Sequence, residues 1–498
     1  MSTSAALLNL VIWLPAAGAL LIALIGRGQL LPRWIALIVS GLVLLLSLLL
    51  FGAYNVQAGD FQFQTSFRWI PTLNSNYWVG LDGISLPLVL LNGLLSFLAV
   101  VISWNITLRP QLYFAMLLVL ETAVMGVFSS LDLFLFFLFW ELELLPMYLI
   151  IGIWGYKPRC EYAAMKFILF TIAGSAFMLV GIFGLYFLTG AQGFDIVHMP
   201  QRVPELTRAY GAGAAVILFV LLFIGFAVKL PVFPLHTWLP DAHGEAPTAG
   251  SVLLAGVLLK MGGYGMLRIC FGILPDAARQ LAGVIVLLAV INVLYGAALA
   301  MAQTDLKRLI ANSSISHMGY VLLGLAALNQ VGLEGAVLQM VTHGTITGLL
   351  FMMVGVLSDR THTREIPAMQ GLAARMPITA TLFVMAGLAA LGLPLMSGFV
   401  AEFLVFIGAY PVWPVFTILG AAAIVITAGY LLWMLQRVFF GPQLERWSGL
   451  RDASPHEVFA TGALMFVILL IGMFPNVVVS AISVGVAPVV GLLSSGTG

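Results

Sequence analysis

Runs of about 20 apolar residues recur along the chain and alternate with short polar connections. A helix of that length crosses the roughly 30 Å hydrocarbon core of a bilayer. By this criterion the sequence predicts about fourteen transmembrane helices, which begin near residues 5, 34, 83, 111, 131, 162, 211, 247, 278, 305, 332, 378, 412 and 458. The longest connections cover residues 54–82, 189–210, 357–377 and 441–457, and none is long enough for a soluble domain.

The composition agrees with this pattern. Of the 498 residues, 61% are hydrophobic and 8% charged, and the mean hydropathy of +1.08 lies far beyond that of soluble domains. We therefore predict an all-α integral membrane protein. The net charge of +1 offers no nucleic-acid-binding surface. Two cysteines, Cys160 and Cys270, provide neither a metal cluster nor a disulfide framework, so we expect no metal site and no redox centre on this chain.

Basic residues are distributed unequally between the two membrane faces that alternate loops define. One face receives thirteen: Arg27, Arg33, Arg109, Lys157, Arg159, Lys307, Arg308, Arg360, Arg364, Arg375, Arg437, Arg446 and Arg451. The other receives five: Arg68, Arg202, Arg208, Arg268 and Arg279. The positive-inside rule makes the first face cytoplasmic and places both termini on the opposite side. Residues 1–8 carry no positive charge, so we interpret the first apolar run as a retained helix and not as a signal peptide.

Two predicted helices contain prolines at comparable positions. Helix 7 carries Pro231 and Pro234, and helix 12 carries Pro394 between two glycines. Each proline removes one amide and frees the carbonyl four residues earlier, so both helices should be broken. Matching breaks indicate an internal repeat, with helices 4–8 in residues 111–272 and helices 9–13 in residues 273–440, flanked by residues 1–110 and by helix 14 in residues 441–498. Because each repeat holds an odd number of helices, five, the second copy should be inverted, as in alternating-access transporters.

Few ionisable residues lie inside the predicted helices, and each is costly there. A charge at the membrane centre costs about 2.5 to 3.5 kcal/mol on insertion scales. The residues concerned are Glu121, Glu141, Glu143, Lys166, Lys229, Lys260, His317, His343 and Glu402. Facing the bundle interior, paired and hydrated, they would form a polar axis halfway across the membrane. This pattern favours ion movement as the function.

Lys229 and Glu141 are the predicted pair at the start of this axis. Desolvation favours the neutral form of a buried lysine and a nearby carboxylate favours the charged form, so moving the carboxylate can make Lys229 release a proton. Glu141 and Glu143 are two residues apart and lie on different helix faces, and we choose Glu141. Lys260, His317 and His343 suit a relay because small changes of environment switch their protonation. Glu402 would then face the exit.

Other interpretations compete with a functional one at several positions. Glu121, Glu143 and Lys166 could equally well form hydrogen bonds between helices. Asp241, His243 and Glu245 could form a metal site, although a polar loop with turn chemistry is favoured. The chain has no nucleotide-binding G-x-x-x-x-G-K-[ST] loop, so the energy for transport must come from outside it.

The segments that contain these residues resemble those of a known family. Residues 226–243 and 246–251 are similar to the signature of the antiporter-like subunits of respiratory complex I and of their relatives in Mrp antiporters and membrane-bound hydrogenases. Residues 140–148 and 304–319, and above all Glu402 within residues 398–403, resemble the subunit M group, also called chain 4. Subunits L and N usually carry lysine at the position of Glu402. The resemblance covers about residues 80–440.

The resemblance implies a fourteen-helix subunit in which Glu141 pairs with Lys229, Lys260 lies at the centre, His317 and His343 form the link, and Glu402 faces the exit. It also implies that NADH, FMN, iron–sulfur clusters and quinone are bound by partner subunits and that the neighbours are other membrane-arm subunits. The implied location is a bacterial inner membrane or an equivalent energy-transducing membrane. The expected function is proton translocation within an NADH:quinone oxidoreductase, a translocase, with no redox centre on this chain.

Several alternatives stay open at the level of sequence. An Mrp-type cation/proton antiporter or a membrane-bound hydrogenase would share the same signature. The Trp-Glu-Leu-Glu-Leu segment at residues 140–144 also resembles the photosynthetic form of the complex, which accepts electrons from ferredoxin. A non-conducting scaffold is the rival from another class. The sequence does not determine the electron donor, the quinone, the proton stoichiometry, the choice between H⁺ and Na⁺, or the order of transfers.

Overall fold

The computed structural model describes residues 3–26 and 28–495. Fourteen helices within these residues are long and apolar enough to cross a membrane, which confirms the predicted helical membrane architecture. Arg27, one of the basic residues counted above, lies outside the described residues. The N-terminal part contains four long helices: α1 (Thr3–Ile25), α2 (Leu30–Ala53), α3 (Ser85–Ile102) and α4 (Pro110–Ser129).

A β-hairpin occupies much of the connection between α2 and α3. Its antiparallel strands are β1 (Gln62–Ile70) and β2 (Ser75–Leu81), which the apolar pattern did not predict. Tyr77, Val79 and Leu81 alternate along β2 and are buried, as expected for a strand with one face on the protein. We call the membrane face that carries this hairpin the hairpin face. The opposite face, which carries Lys157, Arg159 and Arg364, is the basic face.

The first predicted repeat contains the broken helix 7. Its elements are α5 (Leu133–Leu142), α6 (Leu144–Trp154), α7 (Cys160–Leu188), α8 (Met199–Tyr210), α9 (Ala212–Lys229), α10 (Trp238–Glu245), α11 (Thr248–Leu253) and α12 (Leu259–Gly265). Helix 7 is broken as predicted, because α9 ends at Lys229 and α10 begins only at Trp238. Asn292 braces this break, since its side chain accepts from the Phe233 amide at 2.7 Å and donates to the Pro231 carbonyl at 3.0 Å.

Three spans of the described residues lie deep inside the protein: Thr248–Phe271, Leu306–Ala326 and Gln330–Thr361. The span Thr248–Phe271, which we call the central helix, joins α11 and α12 through π-helical turns at Leu254–Leu258 and Met266–Phe271. All of its span is buried by neighbouring helices. It runs from the basic face, where α10 precedes it, to the hairpin face, where α13 follows it.

The second half of the chain contains the broken helix 12. Its elements are α13 (Pro275–Met301), α14 (Leu306–Ala326), α15 (Gln330–Thr361), α16 (Pro377–Ala390), α17 (Ser397–Ala409), α18 (Pro414–Phe439), α19 (Pro455–Met473) and α20 (Asn476–Ser494). The helix predicted from residue 378 consists of α16 and α17, which are separated at residues 391–396. It is therefore broken at Pro394, as the sequence predicted. The inverted relation between the two halves stays a prediction.

The C-terminal segment 441–498 holds two helices where the sequence predicted one. Along α20, Gly485 packs against Gly83, Ser483 accepts from Gln330 at 2.8 Å, and the carbonyl of Leu493 accepts from Arg279 at 2.6 Å. These partners lie at or next to the starts of α3, α15 and α13, all on the hairpin face. Helix α20 therefore lies across that face and does not span the membrane. With α16 and α17 counted as one broken span, fourteen spans remain.

Candidate functional site

Most of the predicted site residues lie deep inside the helix bundle. Lys260 is 0% exposed, Lys229 1%, His343 3%, and His317 and Glu402 5% each. Glu141 differs from them because its side chain is only half-buried. Five of the six predicted residues are thus removed from lipid and bulk water, and charged or polar groups in such surroundings must find partners inside the protein.

Lys229 pairs with Glu143 and not with Glu141. The Lys229 ammonium contacts the Glu143 carboxylate, and both side chains are almost completely buried. The ammonium also lies near the rings of Trp140 and Phe167, at 5.8 and 5.2 Å from their centroids. The predicted Glu141–Lys229 pairing is therefore wrong, and the partner of Lys229 is Glu143, which the sequence interpretation weighed and did not choose.

The burial pattern around the joint between α5 and α6 explains why Lys229 contacts Glu143 and not Glu141. Helix α5 ends at Leu142, and Glu143 occupies the joint before α6. Glu141 shares its helix face with Leu138 and Leu145, which are 37% and 58% exposed, so that face looks outward. Glu143 follows the buried Phe136, Phe139 and Trp140 at helical spacing. That periodicity was the available signal for an inward carboxylate. Glu141 still interacts electrostatically with Lys229.

Lys260 belongs to a continuous chain of polar side chains. Its Nζ lies 2.8 Å from His343 Nδ1, and it also donates to the carbonyl of Ala255 in the first π-helical turn. The rings of His343 and His317 have centroids 5.6 Å apart. His317 Nδ1 lies 3.3 Å from Glu402 Oε1. The structure therefore joins Lys260, His343, His317 and Glu402 in that order.

A small cavity lies beside the histidines. Its volume of about 10 Å³ is close to what one water molecule requires. Five side chains on its wall or next to it have a buried polar atom with no hydrogen-bond partner among the described residues: His317 Nε2, His343 Nε2, Gln339 Oε1, Thr342 Oγ1 and Ser397 Oγ. Several such groups converging on one small space suit a bridging water.

The Glu143–Lys229 pair lies next to the polar side chains that begin with Lys260, because the helices that carry Lys229 and Lys260 are in backbone contact. Gly262, two residues after Lys260, packs directly against the end of α9. A Cβ atom at this position would come within 2.7 Å of the amide nitrogen of Leu230, the residue after Lys229. This close approach requires glycine, and it sets the Glu143–Lys229 pair beside the central helix.

The break of helix 12 lies equally close to Glu402, which is the last member of the series of polar side chains that begins with Lys260. Gly392 has a φ of 80°, and a Cβ atom there would lie 2.8 Å from Glu402 Oε2. A side chain at residue 392 would be strained and would press on the carboxylate. The glycine therefore leaves room at the break for the side chain of Glu402.

The remaining ionisable residues have separate surroundings. Lys166 contacts Asp241 at 2.7 Å near the basic face, and Asp241 also bonds Arg308 at 3.1 Å. His243 is fully buried and stacks on Phe351 with centroids 4.6 Å apart. Asp241 and His243 both lie in helix α10, whereas the sequence predicted a loop there. Throughout residues 3–26 and 28–495, no group of three or more His, Cys, Asp or Glu side chains could hold a metal ion.

The sequence has relatives among known proteins. Residues 130–430 match the family model described as NADH:quinone oxidoreductase/Mrp antiporter, TM. A NAD(P)H-quinone oxidoreductase chain 4 of Trichormus variabilis is 44% identical over 85% of this chain and 80% of its own length. A chain 4 of Synechococcus sp. is 43% identical over 98% of this chain and 93% of its own.

Solved structures agree with the sequence relatives. A chain of respiratory complex I from Thermus thermophilus with bound NADH has a TM-score of 0.86 and 29% identity, and the match covers 98% of this chain and 99% of that one. A chain of the Mrp complex from Dietzia sp. shares the fold, with a TM-score of 0.86 at 20% identity over 100% and 99% of the two chains. The protein therefore belongs to the NADH:quinone oxidoreductase/Mrp antiporter family of transmembrane proteins, in its chain 4 group.

Proposed function

We propose that the chain is a proton-translocating membrane subunit of an NADH:quinone oxidoreductase of the complex I type. The observation that carries this proposal is the chain of contacts from Lys260 through His343 and His317 to Glu402. Each of these side chains can hold or release a proton, and successive members lie within direct reach or within reach of one bridging water.

The Glu143–Lys229 pair lies beside these four side chains and can act as a control element. While the two charges are in contact, the carboxylate stabilises the protonated lysine; if the carboxylate moves away, desolvation favours the neutral amine. Glu141, half-buried beside them, is a second carboxylate that can influence the same lysine. A neighbouring subunit that moves either carboxylate would thereby change the charge at Lys229.

The energy for this movement comes from redox chemistry in partner subunits. Each proton moved against the membrane potential costs about 2.3 kcal/mol per 100 mV. NADH, FMN, iron–sulfur clusters and quinone are assigned to those partners, and the neighbours of this chain are other membrane-arm subunits. The relatives named above as quinone oxidoreductases and the structural match to a chain of complex I support the placement of this chain in such an assembly. We assign the basic face to the cytoplasmic side, because it carries most of the basic residues.

Two substitutions of Lys260 separate a proton relay from a structural scaffold. Arginine keeps a positive charge at the position but cannot release its proton, whereas alanine removes the charge. We expect complexes with Lys260→Arg or Lys260→Ala, reconstituted in proteoliposomes, to transfer fewer protons per electron than the unmodified complex. A scaffold would tolerate Lys260→Arg. If that variant assembles and pumps normally, the proposal is refuted.

A further inference from the structure

Arg268 and Asp82 form a buried ion pair near the hairpin face that the proposed relay does not use. Arg268 Nη2 lies 2.6 Å from Asp82 Oδ2, and each side chain is 8% exposed. The guanidinium also lies 5.1 Å from the ring centroid of Phe61 and 5.5 Å from that of Tyr264. Because Asp82 precedes α3 and Arg268 lies in the second π-helical turn, the pair joins the start of one helix to the end of another.

A cavity large enough for several water molecules reaches this ion pair from the hairpin face. Its volume of about 210 Å³ has room for several water molecules at about 30 Å³ each. Asp82 and Arg268 form part of its wall, together with Asp60 from the exposed loop before β1 and Gly485 and Val489 from α20. Water on the hairpin side therefore has access as far as the guanidinium and the carboxylate.

On the inner side, the same helix leads back to Lys260. Lys260, Tyr264 and Arg268 follow one another at intervals of four residues, so their side chains lie along one side of the central helix. The hydroxyl of Tyr264 donates to the carbonyl of Phe128 at 3.2 Å. Along this side of the helix, Tyr264 and the Arg268–Asp82 pair thus lie between the buried lysine, at the start of the polar chain, and a cavity open to the hairpin face.

The chemistry of arginine distinguishes this position from the relay. Lysine and histidine can release a proton inside a protein, whereas the guanidinium stays protonated and cannot pass a proton on by losing its own. A fixed positive charge in a narrow passage also repels protons and cations, as arginines in water-selective pores do. Asp82 compensates the buried charge, and Tyr264 fills the space on its inner side.

We propose that Arg268 and Asp82 form an electrostatic seal that prevents protons from passing between Lys260 and the hairpin-face cavity. This inference rests on the proposed function, because a seal is needed only if Lys260 carries protons. It assigns to the pair a task other than relay: it keeps the hairpin-face end of the central helix closed, so that protons at Lys260 continue toward His343.

The test measures passive proton leak in the absence of electron transfer. The assembled complex is reconstituted in proteoliposomes, a pH gradient is imposed, and its decay is followed without electron donor. In the double variant Arg268→Gln/Asp82→Asn, amide groups replace the guanidinium and the carboxylate and remove both charges. We expect the gradient to decay several-fold faster than with the unmodified complex. The control is Arg208→Gln, an exposed arginine in α8, for which no change is expected.

A triple variant shows whether the leak uses the proposed route. Adding Lys260→Ala to the double variant should abolish the extra leak, because the path would then lack its inner station. An unchanged leak in the double variant, or a leak that persists in the triple variant, overturns the seal. Pumping measured on Lys260→Arg alone decides the proposed function separately, since a passive leak does not depend on turnover.

A conservative variant covers the case in which the double variant does not assemble. Arg268→Lys keeps the charge and the contact with Asp82, but a lysine can release its proton. The groups that face it are Asp82, Tyr264 and Tyr54. We expect its leak to exceed that of the unmodified complex and to grow as the pH rises toward about 10, where lysine loses its proton. A leak equal to that of the unmodified complex across this range contradicts the seal.

Discussion

Lys260 Nζ lies 2.8 Å from His343 Nδ1, within hydrogen-bonding distance, in a part of the protein that neither lipid nor bulk water touches. When the ammonium donates to Nδ1, the neutral imidazole must carry its own proton on Nε2. His343 can therefore accept a proton from Lys260 on one ring nitrogen and release one from the other. This relation gives the chain of contacts a physical means of passing protons.

Replacing His343 by glutamine should interrupt that transfer. Glutamine keeps hydrogen-bonding groups of similar size but does not titrate in this range, so we expect proton transfer through this subunit to fall by about tenfold or more. The measurement is protons translocated per electron in proteoliposomes. His198→Gln is the control, because this histidine is exposed on the hairpin face beside Asp195. Equal ratios in the two variants would show that His343 is not a relay.

Because Lys229 contacts Glu143 and not Glu141, replacing each of these two carboxylates by glutamine should have unequal effects. Glu143→Gln leaves a buried ammonium without its counter-ion, and breaking a buried pair costs about 3 to 5 kcal/mol. Glu141→Gln changes a half-buried side chain and should cost less than about 1 kcal/mol. Thermal unfolding of the purified complex compares the two, and similar destabilisation would contradict the pairing.

A double-mutant cycle strengthens this comparison. Removing both charges with Lys229→Met and Glu143→Gln should cost less than the sum of the single substitutions, because each single variant leaves one charge unpaired. The corresponding cycle with Glu141→Gln should show a smaller coupling, because Glu141 does not contact the lysine directly. Additivity for Glu143 and coupling for Glu141 would restore the pairing that the sequence favoured.

The amino-acid sequence was sufficient to predict the number of spans and the two broken helices. Both features are local: the length of an apolar run determines whether it crosses a bilayer, and a proline breaks its own helix. The burial of Lys229 and Lys260 also follows from local cost, because a charge inside an apolar run must turn inward. These predictions needed no knowledge of which helices are neighbours.

The features that the sequence did not predict depend on three-dimensional packing. The choice between Glu141 and Glu143 depends on which helix face packs against the rest of the bundle: Glu143 follows the buried Trp140, whereas Glu141 lies beside the exposed Leu145. Helix α20 is as apolar as a membrane span, yet its glycine contact with the start of α3 keeps it on the hairpin face. Hydropathy measures the character of a segment and not its neighbours.

The contact between α3 and α20 provides a stability prediction. A Cβ atom at Gly83 would lie 1.7 Å from the carbonyl oxygen of Ala481, so Gly83→Ala must displace α20 or the turn before α3. We expect a loss of about 1 to 3 kcal/mol, typical of overpacked positions, and faster proteolysis within residues 476–495. Gly462→Ala in α19 is the matched control, because no atom lies within 4 Å of a Cβ atom there. Equal digestion rates in both variants would contradict the packing of α20.

Asp452 predicts a pH dependence on the basic face, outside the membrane spans. Its carboxylate accepts from the Ile378 amide at 2.7 Å and from the Thr379 amide and hydroxyl at 3.1 and 2.6 Å. Partial burial by itself would raise the pKa of Asp452, but these hydrogen bonds and one from the Ala453 amide outweigh it and hold the pKa below its ordinary value. The side chain thus anchors the loop before α19 to the start of α16.

The sign of the effect follows from this lowered pKa. Because the folded state binds a proton less readily than the unfolded chain, the anchor contributes its full stability above the ordinary pKa of about 3.9 and loses it as the pH falls through the folded value. We expect acid-stable protease to cleave residues 441–454 increasingly as the pH is lowered below about 4. Asp452→Asn should be cleaved faster at neutral pH, with a weaker dependence on acid. Because asparagine keeps one acceptor oxygen but carries no charge, a variant that matches the unmodified protein at every pH would show that the loop is held by other contacts.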